Sequence, residues 1–167
     1  ETRRRRGEEP RISIAEQNTV QFLNLSSFAE QMLIHENACV SVTPDIPFDR
    51  AALIGCAVMT GFGAVNQTAN VRAGETVCVI GCGGVGLSAI NGAAIAGAGR
   101  VIAVDQVASK LDLAKAFGAT DVVDASQVDA VEVVRDLTQG GVDHAFEAIG
   151  LKPTAEQAFG MLARGGT

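Results

Sequence analysis

At 167 residues the chain has room for one domain with its own core and a short appendage, but not for two full domains. Almost half of the residues are apolar, the mean hydropathy is positive and glycine numbers 19, which excludes a disordered chain and argues for small side chains on closely packed strands and helices. The formal net charge of −6 argues against nucleic acid as a main partner; the basic run Arg3 to Arg6 is followed at once by Glu8 and Glu9, as in a solvated loop.

The N-terminus is charged and no apolar segment follows it, so a signal peptide is not expected, and a start at Glu1 rather than Met points to a fragment or processed product. Residues 1–43 read as the tail of another, mostly β domain, with Phe28–His35 and Cys39–Val42 strand-like. Residues 44–72 read as linking helices. Thr43-Pro44-Asp45-Ile46-Pro47 is a stiff linker, Asp49 is placed to cap a helix through Ile54, Gly55 interrupts it, and Thr60 is placed to cap a second short helix through Asn66.

From residue 73 to 167 the rhythm becomes regular. Thr76–Gly81 is an apolar, β-branched run, followed by a helix over Val85–Gly97 with Leu87, Ile90 and Ala94 on one face. Arg100–Asp105 is a second strand, and Val107–Phe117 a helix with Leu111 and Ala114 facing in and Gly118 at its end. Asp121–Asp124 is a third strand, and Gln127–Thr138 a helix with Val128, Val131 and Val134 apolar. Gly140-Gly141 leads into a fourth strand, Val142–Ile149, and Pro153 suits the first turn of a last helix with Ala155, Ala158, Phe159 and Leu162 on one face. Short apolar strands alternating with helices are the pattern of βαβ units and a parallel sheet. A fifth strand is expected to begin near Gly165-Gly166-Thr167, so a six-stranded doubly wound sheet would lack its last two strands and leave the fourth as an open edge.

Gly81-Cys82-Gly83-Gly84-Val85-Gly86 fits G-x-G-x-x-G, directly after a predicted strand and at the opening of a predicted helix. There Gly81 permits a tight turn, Gly83 lets the backbone approach a pyrophosphate and Gly86 lets the helix pack close to the strand. The helix N-terminus adds amide donors and a positive dipole end. Asp105, two dozen residues on, ends the second strand where a carboxylate holds the adenosine ribose, and with Gln106 and Val107 following rather than Arg, NAD is favoured over NADP. A methyltransferase using S-adenosylmethionine also combines a glycine loop with an acid after its second strand, but usually carries an acidic residue before the first glycine, where this chain has Ile80.

Leu53-Ile54-Gly55-Cys56, Thr60-Gly61-Phe62-Gly63-Ala64, the glycine loop in VIGCGGVGLSAI, RVIAVD ending in Asp105, Lys110, and Phe146-Glu147-Ala148-Ile149-Gly150 form an ordered series. On these residues the chain, from about Phe28 to its end, resembles zinc-type medium-chain alcohol dehydrogenases, nearest in look to bacterial class III-like members. The resemblance implies an α/β fold, a doubly wound parallel-sheet Rossmann NAD-binding domain without its last strands, preceded by a short β tail of the GroES-like catalytic domain. It implies that Cys56 is the third protein ligand of a catalytic zinc, that Thr60 lies beside the nicotinamide carboxamide and ring, and that Val85 packs on the nicotinamide. Asp105 and Lys110 would hold the ribose, Ile149 and Gly150 line the coenzyme cleft, and Gly81, Gly83, Gly84 and Gly86 form the phosphate turn. Zinc in such enzymes acts as a Lewis acid on the substrate oxygen, from a site of two Cys and one His; two of those ligands, like the main catalytic residues, are expected outside this chain.

The remaining candidates read as structural. His35 is expected to be a surface or hydrogen-bonded residue, His144 a satisfied strand residue, and neither they nor Cys39 matches a zinc ligand. Cys82 is expected to be somewhat acidic beside a helix N-terminus, without a catalytic part. The four cysteines form no Cys-x-x-Cys pair and read as reduced thiols of a cytoplasmic protein, and the stretch Val85–Ala98 is too broken by Gly, Ser and Asn to span a membrane. The expected activity is hydride transfer between a zinc-bound alcohol or aldehyde and NAD, in a parent that is a homo-oligomer, with this chain supplying coenzyme binding. A non-catalytic NAD-binding module and a zinc-free medium-chain oxidoreductase remain the alternatives.

Overall fold

The computed structural model describes residues 12–19, 28 and 30–167. The basic run of Arg3 to Arg6 lies outside the described residues. The chain divides into two compact units, Glu1–Ile46 and Pro47–Thr167.

In the first unit, β1 (Ile12–Ile14) pairs antiparallel with β2 (Gln17–Thr19) through a two-residue turn in which Ala15 and Glu16 both have positive φ, 48° and 67°. Two left-handed residues match the twist of a tight hairpin. The strands expected over Phe28–His35 and Cys39–Val42 do not form among the described residues: 31–35 and 39–42 are irregular, on either side of a 3₁₀ turn, Glu36–Ala38. β-branched and apolar side chains favour a strand only where a neighbour supplies the ladder, and no such pairing is seen there. His35 caps the turn, its Nδ1 accepting the Asn37 N–H at 3.1 Å, as befits a hydrogen-bonded surface residue.

The second unit opens with α1, a continuous helix over Phe48–Ala69. Two π-helical stretches, Ile54–Val58 and Ala64–Ala69, alternate in it with α-helical ones. Pro47, not Asp49, occupies the N-cap; Asp49 sits in the first turn, where its charge suits the helix dipole but bonds no cap amide. Gly55 does not break the helix and Thr60 does not start a second one. Both lie inside α1, which ends at Asn70 in the left-handed conformation, φ 52°. The cause is packing against α2 (Gly84–Ile95). A Cβ on Gly61 would overlap the Val85 carbonyl oxygen, and one on Gly92 would come within 3.1 Å of the Asn66 amide and 3.3 Å of the Phe62 ring. At Gly61 and Gly92 the two helices cross in near contact, whereas a Cβ on Gly55 would meet nothing within 4 Å.

The sheet follows: β3 (Thr76–Ile80), β4 (Arg100–Asp105), β5 (Asp121–Asp124) and β6 (His144–Glu147), all parallel, in the order β5-β4-β3-β6. Helices α2, α3 (Ala108–Ala116) and α4 (Ala130–Leu137) make the crossovers, and α5 (Lys152–Met161) follows β6. Side-chain alternation along the strands divides the core in two. Val77, Val79, Val101 and Ala103 pack with Leu87, Ile90, Ala93 and Leu111 on one face, while Cys78, Ile80, Ile102 and Val104 pack with Val134, Val142, Ala158 and Met161 on the other. Helices on both faces of a parallel sheet make the doubly wound arrangement read from the sequence.

The helix faces differ in detail from that reading. In α2 the buried residue of the last turns is Ala93 rather than Ala94, since α2 is enclosed by α1 as well as by the sheet. α4 starts at Ala130, because Asp129 accepts the N–H groups of Val131 and Glu132 and fixes the cap there; Val128 precedes it and is 47% exposed. In α5, Ala158 and Met161 face inward, whereas Ala155 is exposed and Phe159 is 80% exposed. Nor is the edge of β6 wholly open: the Thr167 N–H donates to Asp143 O and the Ala145 N–H to Thr167 O, both at 2.9 Å, and Val142 bridges Leu162 in parallel.

Candidate coenzyme-binding site

β3 enters the sheet first, β4 and β5 add on one side of it, and β6 adds on the other. The chain therefore reverses its winding at the carboxyl ends of β3 and β6, the place where an open α/β sheet leaves a crevice. A cleft of about 610 Å³ opens there.

The glycine turn forms its floor. Gly81 has φ +94°, and a Cβ on it would come within 2.6 Å of Ile149 Cγ1. A Cβ on Gly86 would overlap the Gly81 carbonyl oxygen, so both positions require glycine for local reasons. Gly83 differs. It is the N-cap of α2 in an ordinary extended conformation, lines the cleft and has open space where a Cβ would be. Its lack of a side chain leaves room for a ligand beside the first amides of α2, which have no partner within the helix.

Asp105 ends β4 and is 8% exposed. Its Oδ2 accepts the Cys82 N–H at 2.8 Å, its Oδ1 accepts the Val107 N–H at 3.0 Å, and Lys110 Nζ stands 3.9 Å from Oδ2. The carboxylate thus ties the glycine turn to the start of α3 and presents its remaining acceptor capacity to the cleft. Gly81, Gly83, Asp105, Lys110 and Ile149 all line that cleft, so the structure brings together the phosphate turn and ribose pair read from the sequence.

Thr60, Val85, Gly84, Gly150 and Cys56 lie outside the lining. α1 brings the first of these and Cys56 to the glycine-turn end of α2: a Cβ on Gly84 would stand 3.2 Å from the Ala57 Cβ, and Gly61 abuts Val85. Cys56 is exposed and unpaired. Among the described residues no three of His, Cys, Asp and Glu are grouped to hold a metal. His144 is at the far end of β6, its Nε2 2.9 Å from Glu75 Oε2, so one nitrogen is satisfied as expected; its buried Nδ1 has no partner among the described residues.

Cys82 departs from expectation. Instead of facing the helix N-terminus as an acidic thiol, it is 1% exposed with Sγ towards Val104 O. Burial, and then the Asp105 carboxylate, push it up to about 11.

Glu147, quoted in the ordered series of the sequence but given no role there, ends β6 in register with Ile80. Its Oε1 accepts the Ile149 N–H at 2.8 Å, the Gly150 N–H at 2.9 Å and the Thr154 hydroxyl at 2.8 Å, with Oε2 a second acceptor for Gly150 at 3.1 Å. Burial pushes this carboxyl up, but the donors from Thr154, Gly150 and Ile149 outweigh it and hold the group below the usual range. Its place at the end of a strand beside the glycine turn, like that of Asp105, was the available signal. Val107, Val128, Asp129 and Thr154 also line the cleft unpredicted.

A family model described as "Zinc-binding dehydrogenase" matches residues 84–167. The chain is 42% identical over 156 residues to a "Probable S-(hydroxymethyl)glutathione dehydrogenase 1" of Schizosaccharomyces pombe, covering 93% of this chain and 41% of that protein. Among solved structures it is similar to benzyl alcohol dehydrogenase from Acinetobacter calcoaceticus, with TM-score 0.80 and 39% identity over 85% of this chain and 39% of that one. An alcohol dehydrogenase zinc-binding domain protein from Burkholderia ambifaria gives TM-score 0.79 and 41% identity over 84% of this chain and 38% of that one. The chain thus spans about two fifths of the length of the relatives it matches.

Proposed function

Because the chain belongs to the zinc-binding dehydrogenase family, we propose that it is the coenzyme-binding part of an NAD-dependent alcohol dehydrogenase. The observation that carries this reading is Asp105: a nearly buried carboxylate at the end of β4, bonded to the glycine turn and facing the cleft that the turn floors. Such a carboxylate accepts the ribose hydroxyls of NAD and repels the 2′-phosphate of NADP. Lys110 neutralises part of its charge and stands ready as a donor to the same ribose.

Bound NAD supplies a hydride acceptor for oxidation of an alcohol to an aldehyde. This chain's residues bind and orient it. Gly83 and the first amides of α2 take the pyrophosphate, Asp105 and Lys110 the adenosine ribose, and Ile149 forms part of the wall of the cleft, in a loop that turns at Gly150. Val85, in the first turn of α2, and Thr60, which α1 brings beside that turn, suit the nicotinamide end.

A catalytic zinc site needs three protein donors, and a single exposed cysteine does not make one. We assign Cys56 as one ligand of such a site and derive no step at a metal from this chain. A hydroxymethyl thiol adduct or a benzylic alcohol appears in the relatives' names, which supports an alcohol or aldehyde as substrate here. A cytoplasmic, homo-oligomeric parent fits the four unpaired thiols and the resemblance. α1 is long and apolar enough to cross a membrane by length and composition, but its glycine-mediated packing on α2 favours a globular place for it.

Calorimetric titration tests the reading. The chain is expected to bind NAD⁺ more tightly than NADP⁺, and Asp105→Gly to weaken NAD⁺ by about tenfold, the worth of a charge-assisted hydrogen bond, while improving NADP⁺. Equal affinity for both nucleotides, unchanged in Asp105→Gly, would remove the ribose-carboxylate role. Cys56→Ala, assayed in the longest native polypeptide containing this sequence, is expected to lose zinc and alcohol oxidation together; retained zinc would refute the ligand assignment.

A further inference from the structure

We infer that Glu147 is a positioning residue for the coenzyme cleft: its carboxylate gathers the loop after β6 into a fixed wall against the glycine turn. The inference rests on the coenzyme reading and deepens it. Residues 148–151 join β6 to α5 and carry three cleft-lining residues, Ala148, Ile149 and Leu151. The sheet ladder holds this loop only at its start, where the Ala148 N–H donates to Ile80 O at 2.9 Å. Beyond that point Gly150 has φ +88° and the chain turns sharply into α5.

One side chain satisfies the turn. Glu147 Oε1 takes the amides of Ile149 and Gly150 and the Thr154 hydroxyl, all at 2.9 Å or less. It therefore binds the loop at two backbone points and fastens it to the first turn of α5 at a third. The loop so held lies directly on the turn that carries the phosphate site: Ile149 Cγ1 and Ala148 O are the atoms a Cβ on Gly81 would strike, at 2.6 and 3.2 Å. Displacing Ile149 would open the wall of the cleft and leave Gly81 without its neighbour. A carboxylate suits this task because hydrogen bonds to an ionised acceptor are about twice as strong as neutral ones. Glu147 itself is outside the cleft lining, so it acts through the loop and not by touching the nucleotide.

The test compares the wild-type chain with Glu147→Ala and Glu147→Gln, by NAD⁺ titration well below their melting temperatures and by hydrogen exchange of the Ile149 and Gly150 amides without nucleotide. Glu147→Ala is expected to weaken NAD⁺ by about tenfold, the loss of roughly one charge-assisted hydrogen bond's worth of order, with faster exchange at those two amides. Glu147→Gln keeps an acceptor oxygen and is expected to fall between the two, about threefold weaker than wild type. A merely structural role would lower the melting temperature and speed exchange at those two amides without moving NAD⁺ affinity. Wild-type affinity and exchange in a folded Glu147→Ala overturn the inference; should that variant not fold, wild-type affinity and exchange in Glu147→Gln do the same. A wild-type chain that binds no NAD⁺ defeats the coenzyme reading and this inference with it, whereas a binding wild type beside an equally binding Glu147→Ala defeats the Glu147 assignment alone.

Discussion

A Cβ at position 86 would overlap the Gly81 carbonyl oxygen, while one at position 83 would meet nothing within 4 Å. The two glycines of one motif therefore serve different ends, and substitution separates them. Gly86→Ala is expected to destabilise the fold by about 1–3 kcal/mol, as overpacking does, measured by urea unfolding. Gly83→Ala is expected to leave the unfolding free energy within about 0.5 kcal/mol of wild type, since the new methyl is free of contacts, yet to weaken NAD⁺ by occupying the space beside the α2 amides. Equal loss of stability in both variants would contradict this division. The tight turn at Gly81 and the close helix at Gly86 were legible because each demands glycine, and the place of Asp105 was legible as the acid that closes an apolar strand. Cys82 was misread because its helix-end position was visible in the sequence, whereas its burial against β4 came from the Asp105 bond to its amide, a contact across 23 residues.

At the scale of elements, the βαβ rhythm from residue 73 onward carried over almost whole, because short apolar strands and 3.6-periodic helices leave different patterns. α1 did not. Gly55 and Thr60 read as a break and a cap, since glycine and threonine favour those roles in isolation, whereas the helix runs through both and packs on α2 at Gly61. Gly61→Ala is accordingly expected to lower stability by about 1–3 kcal/mol by forcing α1 away from the Val85 carbonyl, and with it Thr60 away from the glycine turn. An alanine that stabilises the chain, as it would in an uncrowded helix, would refute the close crossing. The true start of α4 was likewise hidden until Asp129 was seen to accept two first-turn amides. Replacing it with alanine is expected to cost about 1 kcal/mol in the same urea assay.

For the whole molecule, winding β4 and β5 to one side of β3 and β6 to the other produces the cleft, and acid should weaken carboxylate bonds at both ends of the sheet. Burial raises Glu147, but its loop donors more than offset that. Thr76, through its amide and then its hydroxyl, lowers Asp143, and the Arg72 amide and then His144 lower Glu75. A carboxyl held lower in the folded chain than in the unfolded one contributes stability that is complete above its ordinary value and is lost as pH falls through its folded value. The urea midpoint is therefore expected to hold between pH 7 and 5 and to drop below about pH 4, with NAD⁺ affinity falling alongside as Glu147 protonates. If the glycine turn, Asp105 and the loop after β6 form one nucleotide site, an NMR titration of the ¹⁵N-labelled chain with NAD⁺ will give saturable amide shifts concentrated at Gly81–Gly86, Asp105–Lys110 and Ile149–Gly150; shifts confined to other residues, or none, would mean that they do not.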